Sequence, residues 1–332
     1  MNSKRWFALI AAIVLVVVSL GFRMVTSVAT ADFENIFNLQ GEKEFEEKVI
    51  EDGTGNNKIA VVHLDGIIQD AAVNPLVNAN TYNHKRFLEV LDEAGKDKHV
   101  DGIVVRVNTP GGGVVESAEI HDKIVTIQEE YEKPVYVSMG NTAASGGYYI
   151  AAPAEKIVAH SATLTGSIGV IMESFNFAEF ADEHGIAFNT IKSGEYKDIM
   201  SSSRQMTDEE REILQTMIDD LYGDFVDVIV DGRGMSEATV RELGDGRVYT
   251  GAQAYENELI DELGSMDDTI ALMKADYGLE NAQVIEYEKS FGFSQFLGGS
   301  LQGLFNTESD LVGIKDLLRE NNAPRAMYLY SR

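Results

Sequence analysis

The sequence predicts an α/β fold built from parallel βαβ units, and three observations carry this expectation. Short, continuous apolar runs recur along residues 58–159, and such runs are typical of strands buried on both faces of a sheet. Stretches with helical spacing of apolar residues separate these runs. Glycine-rich loops follow two of the runs, and ligands bind at the C-terminal ends of parallel strands. The sequence therefore predicts a parallel sheet with a site where its strands end.

The regular elements are expected from Lys58 onward. Strands are expected over 59–64, 100–107, 134–138, 156–159, 187–191 and 282–287, and helices over 85–94, 114–130, 148–152, 175–184, 207–228, 236–243, 251–259 and 267–277. Thr207 and Glu210 have the spacing of a capping box, which predicts where the longest helix begins. The order of these elements is that of successive βαβ units.

The N-terminus carries a strongly apolar segment. Residues 6–22 contain no charged residue, and Lys4 and Arg5 precede them. This length suits a short membrane span, and it also suits the apolar core of a cleaved signal peptide, for which Ala-Thr-Ala at 29–31 offers a cleavage site. We expect an uncleaved anchor over residues 1–25, with the rest of the chain outside the cytoplasm. Residues 26–57 are then a linker.

The composition restricts the classes of function. The chain has 332 residues, no cysteine and a formal net charge of −27. Without cysteine there are no disulfides, thiol nucleophiles or thiolate metal sites. A strongly negative surface repels nucleic acid, so no nucleic-acid partner is expected. The charge is interpreted as a solubility feature rather than as a sign of a particular substrate.

Ser145 is the candidate nucleophile. It lies within Ala-Ala-Ser-Gly-Gly-Tyr-Tyr at 143–149, between an expected strand and a short apolar helix. A hydroxyl at the N-terminus of a helix lies beside free N–H groups and the positive end of the helix dipole, an environment that suits an oxyanion. The alternative is a glycine-rich turn whose serine only caps the helix. The serine by itself does not decide between these readings.

A nucleophilic serine needs a base within hydrogen-bond reach. None of the six histidines lies in a glycine-rich or otherwise distinctive loop. A lysine can serve instead when burial favours its neutral form. Lys192 and Lys197 both lie in the polar loop after residue 191. Sequence physics leaves the choice between them open, and either can also be an ordinary surface residue.

A second glycine-rich loop, Asn-Thr-Pro-Gly-Gly-Gly at 108–113, follows a strand and opens a helix. It lacks the Gly-Lys-Ser/Thr ending of a phosphate-binding P-loop and does not match G-x-G-x-x-G. Consecutive glycines let backbone N–H groups approach a ligand closely. The loop is therefore either part of an oxyanion hole or a plain helix start.

Four segments in a fixed order resemble one enzyme family. They are Asn-Thr-Pro-Gly-Gly-Gly at 108–113, Ala-Ala-Ser-Gly-Gly-Tyr-Tyr at 143–149, Thr-Gly-Ser-Ile-Gly-Val at 165–170 and Ser-Gly-Glu-Tyr-Lys-Asp at 193–198. Together they closely resemble the signal peptide peptidase A family of serine proteases, in its shorter Gram-positive form. The resemblance covers about residues 58–280, while residues 281–332 form a C-terminal extension that carries little of it.

The resemblance implies a ClpP/crotonase-like protease domain over residues 58–280 with a Ser-Lys dyad. By motif position, Ser145 is similar to the family's nucleophile and Lys197 to its general base. Lys192 falls outside the motif, which implies a surface or structural role. No metal or other cofactor is implied.

The same motif positions imply the rest of the site. The amides of Gly112 and Gly146 would hold the oxyanion, and Ser167 resembles the family serine whose hydroxyl positions the lysine. The implied protein is an endopeptidase that is anchored in the cell membrane and degrades remnant signal peptides outside the cytoplasm. It would assemble as a homo-oligomer, in which the dyad residues can come from different copies.

Two other classes of function remain as alternatives, a crotonase-like acyl-transfer enzyme and a membrane scaffold without catalytic activity. A further hypothesis concerns the apolar end of the chain, residues 326–330 (Ala-Met-Tyr-Leu-Tyr). This segment either enters the protein's own site as a substrate or inhibitor, or it packs elsewhere.

Overall fold

The computed structural model describes residues 45–70, 82–289 and 326–330. The expected anchor and most of the expected linker lie outside the described residues. No helix within these ranges is long and apolar enough to cross a membrane. The chain divides into two compact units, of which the larger comprises residues 47–287 and 316–332. Every described element lies in this larger unit, apart from the ends of the strands that begin at Phe45 and end at Lys289.

Strands and helices alternate over residues 58–159, as the sequence predicts, apart from the short strand at 111–113. The strands are β1 (Phe45–Glu51), β2 (Lys58–Asp65), β3 (Val100–Thr109), β4 (Gly111–Gly113), β5 (Val135–Ala144), β6 (Lys156–Ala159), β7 (Leu164–Gly166), β8 (Val248–Thr250), β9 (Glu262–Leu263), β10 (Gln283–Lys289) and β11 (Met327–Leu329). The helices are α1 (His84–Lys96), α2 (Val114–Glu130), α3 (Gly146–Ala151), α4 (Ala178–Glu183), α5 (Asp208–Arg233), α6 (Glu237–Leu243), α7 (Gly251–Glu256) and α8 (Met266–Tyr277).

The described strands form a mostly parallel sheet, which confirms the predicted α/β class. Its strand order is β1-β10-β2-β3-β5-β6-β9, and β7 pairs with both β5 and β8. The pairs between β10, β2, β3, β5 and β6 are parallel, whereas β7 and β8 are antiparallel. A separate two-stranded sheet joins β11 to β4 in antiparallel fashion. Residues 45–51, expected within the linker, thus form a strand of the main sheet.

The core lies on both faces of β3. Val104 belongs to a cluster with Ile270 and Met273 of α8, and the neighbouring Ile103 and Val105 are also fully buried. Because side chains alternate across a strand, these two neighbours lie on the opposite face. Burial on both faces explains why the centre of β3, residues 103–105, is apolar at three successive positions instead of alternating with polar residues.

One predicted strand, Ala187–Ile191, is wrong. Residues 187–191 adopt no regular structure and are exposed. Phe188 is 48% exposed and Ile191 is fully exposed. Although the segment contains the apolar residues Ala187, Phe188 and Ile191, none of the described strands pairs with its backbone. The capping box at Thr207 is confirmed: its hydroxyl accepts from the Glu210 N–H, and the Glu210 side chain accepts from the Thr207 N–H.

Candidate active site

Ser145 occupies the predicted junction between a strand and a helix. It follows β5 directly and is the N-cap residue of α3. Its backbone has φ +53° and ψ −116°, a conformation that residues with a side chain rarely adopt. The Ser145 N–H donates to the Gly166 carbonyl of β7 at 2.7 Å, which fixes this turn to the neighbouring strand. A serine held in a sharp strand-to-helix turn presents its hydroxyl at the end of the sheet.

The glycines after Ser145 allow α3 to approach its neighbours closely. A Cβ on Gly146 would lie 2.7 Å from the Ser117 hydroxyl of α2, and a Cβ on Gly147 would lie 2.7 Å from the Thr109 methyl group. Carbon atoms cannot approach other groups to this distance without displacing them. The N–H groups at the start of α3 are therefore brought against the glycine loop because these two positions have no side chain.

Gly112 lies between two backbone segments. On one side the Ile68 N–H donates to the Gly111 carbonyl at 2.9 Å, and the Gly113 N–H donates to the Ile68 carbonyl at 2.8 Å. A Cβ on Gly112 would lie 1.8 Å from the Ile68 oxygen. Because neighbouring peptide groups of an extended strand point in opposite directions, the N–H of Gly112 itself faces away from Ile68.

The other side of the loop carries the end of the chain. β11 pairs with β4 so that Tyr328 lies opposite Gly112. Two residues further on, the Tyr330 N–H donates to the Pro110 carbonyl at 2.8 Å. Hydrogen-bonded pairs alternate along an antiparallel ladder, so Tyr328 and Gly112 form the adjacent hydrogen-bonded pair. The Gly112 N–H therefore points at the Tyr328 carbonyl.

The Tyr328 carbonyl also lies close to Gly146. A Cβ on Gly146 would be 3.1 Å from both the Tyr328 oxygen and the Gly112 nitrogen, and one on Gly111 would be 2.1 Å from that oxygen and 2.7 Å from the Gly146 nitrogen. The structure thus brings together Ser145, Gly112 and Gly146, the three residues expected to form the nucleophile and the oxyanion hole. A peptide carbonyl occupies the space beside the two glycine amides.

An aromatic pocket receives the Tyr328 side chain. The ring is fully buried, stacks on Tyr149 with centroids 4.9 Å apart and contacts Phe225 at 4.7 Å. Its hydroxyl donates to the Leu221 carbonyl at 3.0 Å. The sequence did not single out Phe225 or Leu221, because their spacing on α5 is also that of ordinary core residues. Only the adjoining Tyr149 lies within a recognised motif.

Ser167 lies beside Ser145 on the neighbouring strand. Ala144 and Gly166 are partners in the β5–β7 pair, so the two serines are the residues that directly follow paired positions. Ser167 has φ +50° and is 9% exposed, and its N–H donates to the Arg247 carbonyl at 2.8 Å. This placement is compatible with the role that the resemblance implies for Ser167.

The Lys197 side chain has no hydrogen bond to any of these groups in the described part of the chain. Lys197 belongs to a 3₁₀ turn (Glu195–Asp198) in an exposed part of the chain, and its side chain is exposed. Its side chain makes no hydrogen bond or ion pair with any residue that the structure describes. Lys192, the other lysine considered, donates to the Asp198 carboxylate at 2.6 Å and therefore has a structural contact.

No described histidine is hydrogen-bonded to Ser145. His84 is buried and bonds Tyr82 and Glu119, while His121 bonds Asp122. Burial is the main cause that raises the Tyr82 pKa, with further contributions from nearby carboxylates. This hydrogen-bonded group links α1 to α2 and does not reach the candidate nucleophile.

The comparisons with known proteins agree with this geometry. Residues 127–280 match the model of peptidase family S49. A protein of Enterococcus faecium assigned as signal peptide peptidase SppA is 37% identical over 99% of both chains. The chain belongs to the signal peptide peptidase A family. Members of peptidase family S49 are serine peptidases, and this activity accords with a serine placed beside two glycine amides.

Two further relatives extend the comparison. A Synechocystis protein assigned as a protease is 40% identical over 79% of this chain and 90% of the relative. Protease 4 of Haemophilus influenzae is 35% identical over 64% of this chain and 34% of the relative. The similarity to the signal peptide peptidase A relative therefore covers 99% of this chain, whereas the similarity to the longer protease covers about two thirds of this chain and a third of that protein.

Proposed function

We propose that this protein is a membrane-anchored serine endopeptidase with a ClpP/crotonase-like fold and a Ser145–Lys197 dyad, which degrades remnant signal peptides outside the cytoplasm. The observation that carries the proposal is the Tyr328 carbonyl beside the amides of Gly112 and Gly146, next to Ser145. A peptide in this position presents its carbonyl carbon to a serine hydroxyl and its oxygen to two N–H donors. The buried aromatic pocket suits a large apolar side chain before the cleaved bond.

The proposed reaction has two steps. The Ser145 oxygen attacks the peptide carbonyl while its proton passes to the neutral amine of Lys197, and the oxyanion that forms accepts hydrogen bonds from Gly112 and Gly146. The carbon–nitrogen bond then breaks, and the lysine gives its proton to the leaving amine. Water repeats the sequence on the acyl ester, with Lys197 again accepting the proton, and regenerates the Ser145 hydroxyl.

We propose that the lysine comes from a neighbouring copy of the chain. Lys197 is exposed and has no side-chain partner among the described residues. Apolar side chains that precede it in the chain are also exposed, including Phe175, which is 79% exposed, and Ile191. Exposed aromatic and aliphatic groups in a chain of net charge −27 are expected where another surface covers them. A second copy that covers this segment could bring Lys197 to Ser145 in a repeating, closed assembly.

Peptide hydrolysis by three variants tests the proposal. The substrate is an internally quenched peptide that contains Ala-Met-Tyr-Leu-Tyr, the sequence of residues 326–330, which include the strand paired with the glycine loop. Ser145→Ala and Lys197→Ala should each lower kcat by at least about 1000-fold, because the two residues act as a unit. Ser161→Ala removes an exposed hydroxyl of the same kind and should retain full activity.

The outcomes separate the three classes of function. Activity that depends on both Ser145 and Lys197 supports the endopeptidase. Hydrolysis of acyl thioesters but not of the peptide would indicate the acyl-transfer enzyme, and inactivity of the wild-type protein on both substrates would indicate the scaffold. Equal peptidase activity in wild type, Ser145→Ala and Lys197→Ala would refute the dyad.

A further inference from the structure

An ion-pair network surrounds the turn that carries Lys197. The Arg204 guanidinium donates to both carboxylate oxygens of Asp198, at 2.9 Å from Nε and 2.7 Å from Nη2. Nη1 donates to Glu210 at 2.7 Å, and Nη2 forms a second ion pair with the same carboxylate. Arg204 therefore joins the residue next to Lys197 to the first turn of α5.

The same guanidinium also holds the backbone of this turn. Nη2 donates to the Asp198 carbonyl at 3.1 Å, and Nη1 donates to the Gln205 carbonyl at 3.1 Å. The Arg204 carbonyl accepts in turn from Asn176 at 2.7 Å, just before α4. Bidentate contacts of this planar group fix direction as well as distance, which an ammonium group cannot do.

The network also compensates negative charge close to Lys197, which matters if this lysine is the base. Between residues 192 and 210 the chain has five carboxylates and three cations, one of which is Lys197 itself. Uncompensated carboxylates favour the ammonium form of a nearby lysine, which cannot accept a proton. Arg204 and Lys192 both contact Asp198, so the anion adjacent to the lysine is neutralised from two sides.

The two carboxylates that Arg204 contacts remain charged at neutral pH. Hydrogen bonds from Arg204 are the main cause that lowers the pKa values of Asp198 and Glu210, the latter to about 2. Other carboxylates of the same stretch are those of Glu195, Asp208 and Glu209, and Glu179 and Glu183 of α4 line a cavity together with Gln205, the residue after Arg204. Glu209 accepts a hydrogen bond from Tyr196, which is the first cause that raises the Tyr196 pKa to about 12.

We propose that Arg204 is a positioning residue of this peptidase: it fixes the turn that carries Lys197 and compensates Asp198 and Glu210, so that the lysine amine can be neutral when it meets the serine. The proposal rests on the function of Lys197 proposed above. Arg204 has no contact with Ser145, and its effect passes through the lysine. The geometric and electrostatic contributions of Arg204 can be separated, because a lysine side chain keeps the positive charge but lacks the planar, bidentate guanidinium group.

The test is the pH dependence of kcat for the full-length protein, measured from about pH 6 to pH 10 on the Ala-Met-Tyr-Leu-Tyr peptide. Arg204→Gln should raise the pH of half-maximal rate by about half a unit, because removing a cation favours the ammonium form of Lys197. The shift should shrink in 1 M salt, where the screening length falls to about 3 Å. Arg204→Lys should leave the midpoint in place but lower kcat.

Two further variants keep the test decisive. Lys192→Gln removes the second cation on Asp198 while Arg204 still holds the turn, so its midpoint should also rise even if Arg204→Gln folds poorly. Arg241→Gln changes the net charge by the same amount at an exposed pair with Glu237 on α6 and should match wild type.

The inference is overturned if folded Arg204→Gln and Lys192→Gln keep the wild-type midpoint, or if Arg241→Gln shifts it equally. Failure of the proposed function has a different signature. In that case Lys197→Ala retains activity, whatever the behaviour of Arg204.

Discussion

Tyr328 is the antiparallel partner of Gly112, and the carbonyl of this tyrosine lies beside the amides of Gly112 in β4 and Gly146 at the start of α3. If these amides form an oxyanion hole, the bond that follows Tyr328 lies where a substrate is cut. We therefore expect the active protein to cut its own chain after Tyr328.

Intact-mass spectrometry checks this prediction. Wild type should lose the mass of the residues that follow Tyr328, whereas Ser145→Ala should keep them. Deleting residues 326–332 should raise the initial rate on an added peptide, because β11 then no longer occupies the position beside β4 where the peptide would bind. An identical, complete C-terminus in both proteins, together with no gain in rate after the deletion, would contradict the assignment of this strand as a substrate mimic.

The two glycines of the proposed oxyanion hole should not tolerate alanine. A Cβ on Gly112 would lie 1.8 Å from the Ile68 oxygen, and one on Gly146 would lie 2.7 Å from the Ser117 hydroxyl. Each substitution must displace an amide from the carbonyl that it faces, so we expect kcat to fall at least about 100-fold.

Gly223→Ala provides the matched control, since a Cβ there meets nothing within 4 Å. It lies inside α5, where alanine is expected to stabilise the helix by about 0.5–1 kcal/mol, and activity should be unchanged. If Gly112→Ala and Gly146→Ala hydrolyse peptide as fast as Gly223→Ala, the amides have no part in the reaction.

The aromatic pocket should determine which residue precedes the cleaved bond. Phe225 is fully buried and contacts both Tyr149 and Tyr328. Phe225→Ala should lower the free energy of unfolding by about 3–5 kcal/mol and raise KM for peptides with tyrosine at this position. Paired kinetics on tyrosine and alanine peptides measure the change, and an unaltered preference would show that the pocket does not select the substrate.

Ser167→Ala should lower kcat while leaving KM unchanged. Ser167 follows the strand position paired with Ala144, so its hydroxyl is expected to orient the lysine rather than to bind peptide. Measurement of kcat and KM for Ser167→Ala, with Ser161→Ala as the control, separates these effects. A rise in KM at constant kcat would place Ser167 in substrate binding instead.

The Arg204 network should stabilise the protein in a pH-dependent way. The pKa of Glu210 falls from 4.5 to about 2 in the folded protein, mainly through Arg204. A carboxyl with a lowered pKa contributes stability above its unfolded value, and this contribution is lost as the pH falls through its folded value. The Tm difference between wild type and Arg204→Gln should therefore be largest near neutral pH and shrink between about pH 4.5 and pH 2.

Calorimetry across this range provides the measurement, with Arg241→Gln as the exposed control. A Tm difference that stays constant down to pH 2 would show that Arg204 acts through packing and not through its ion pairs.

Local sequence patterns were sufficient for the elements that carry Ser145 and the capping box at Thr207. In both cases the residues that decide the structure are neighbours in the chain. The false strand at 187–191 shows the limit of this reasoning, because a short segment with apolar residues forms a strand only where another strand pairs with it. The pairing of Tyr328 with Gly112 joins residues far apart in the sequence, so no local pattern predicts its register.

Lys197 illustrates a different limit. Its motif identifies it as the candidate base, but the neutral form that the reaction needs depends on what covers this exposed turn. Neither the sequence of one chain nor its packing supplies that surface. In the proposed assembly a neighbouring copy covers this turn, which would account for both the motif and the exposure of Lys197.

Mixing inactive variants tests the shared Ser145–Lys197 dyad most directly. Ser145→Ala and Lys197→Ala are dissociated, combined in equal amounts and allowed to reassemble, and peptide hydrolysis is measured. If each site takes its serine and its lysine from two copies, random assembly should restore about a quarter of the wild-type activity. No recovery in mixed assemblies, with both variants folded and reassembled, would contradict the shared dyad.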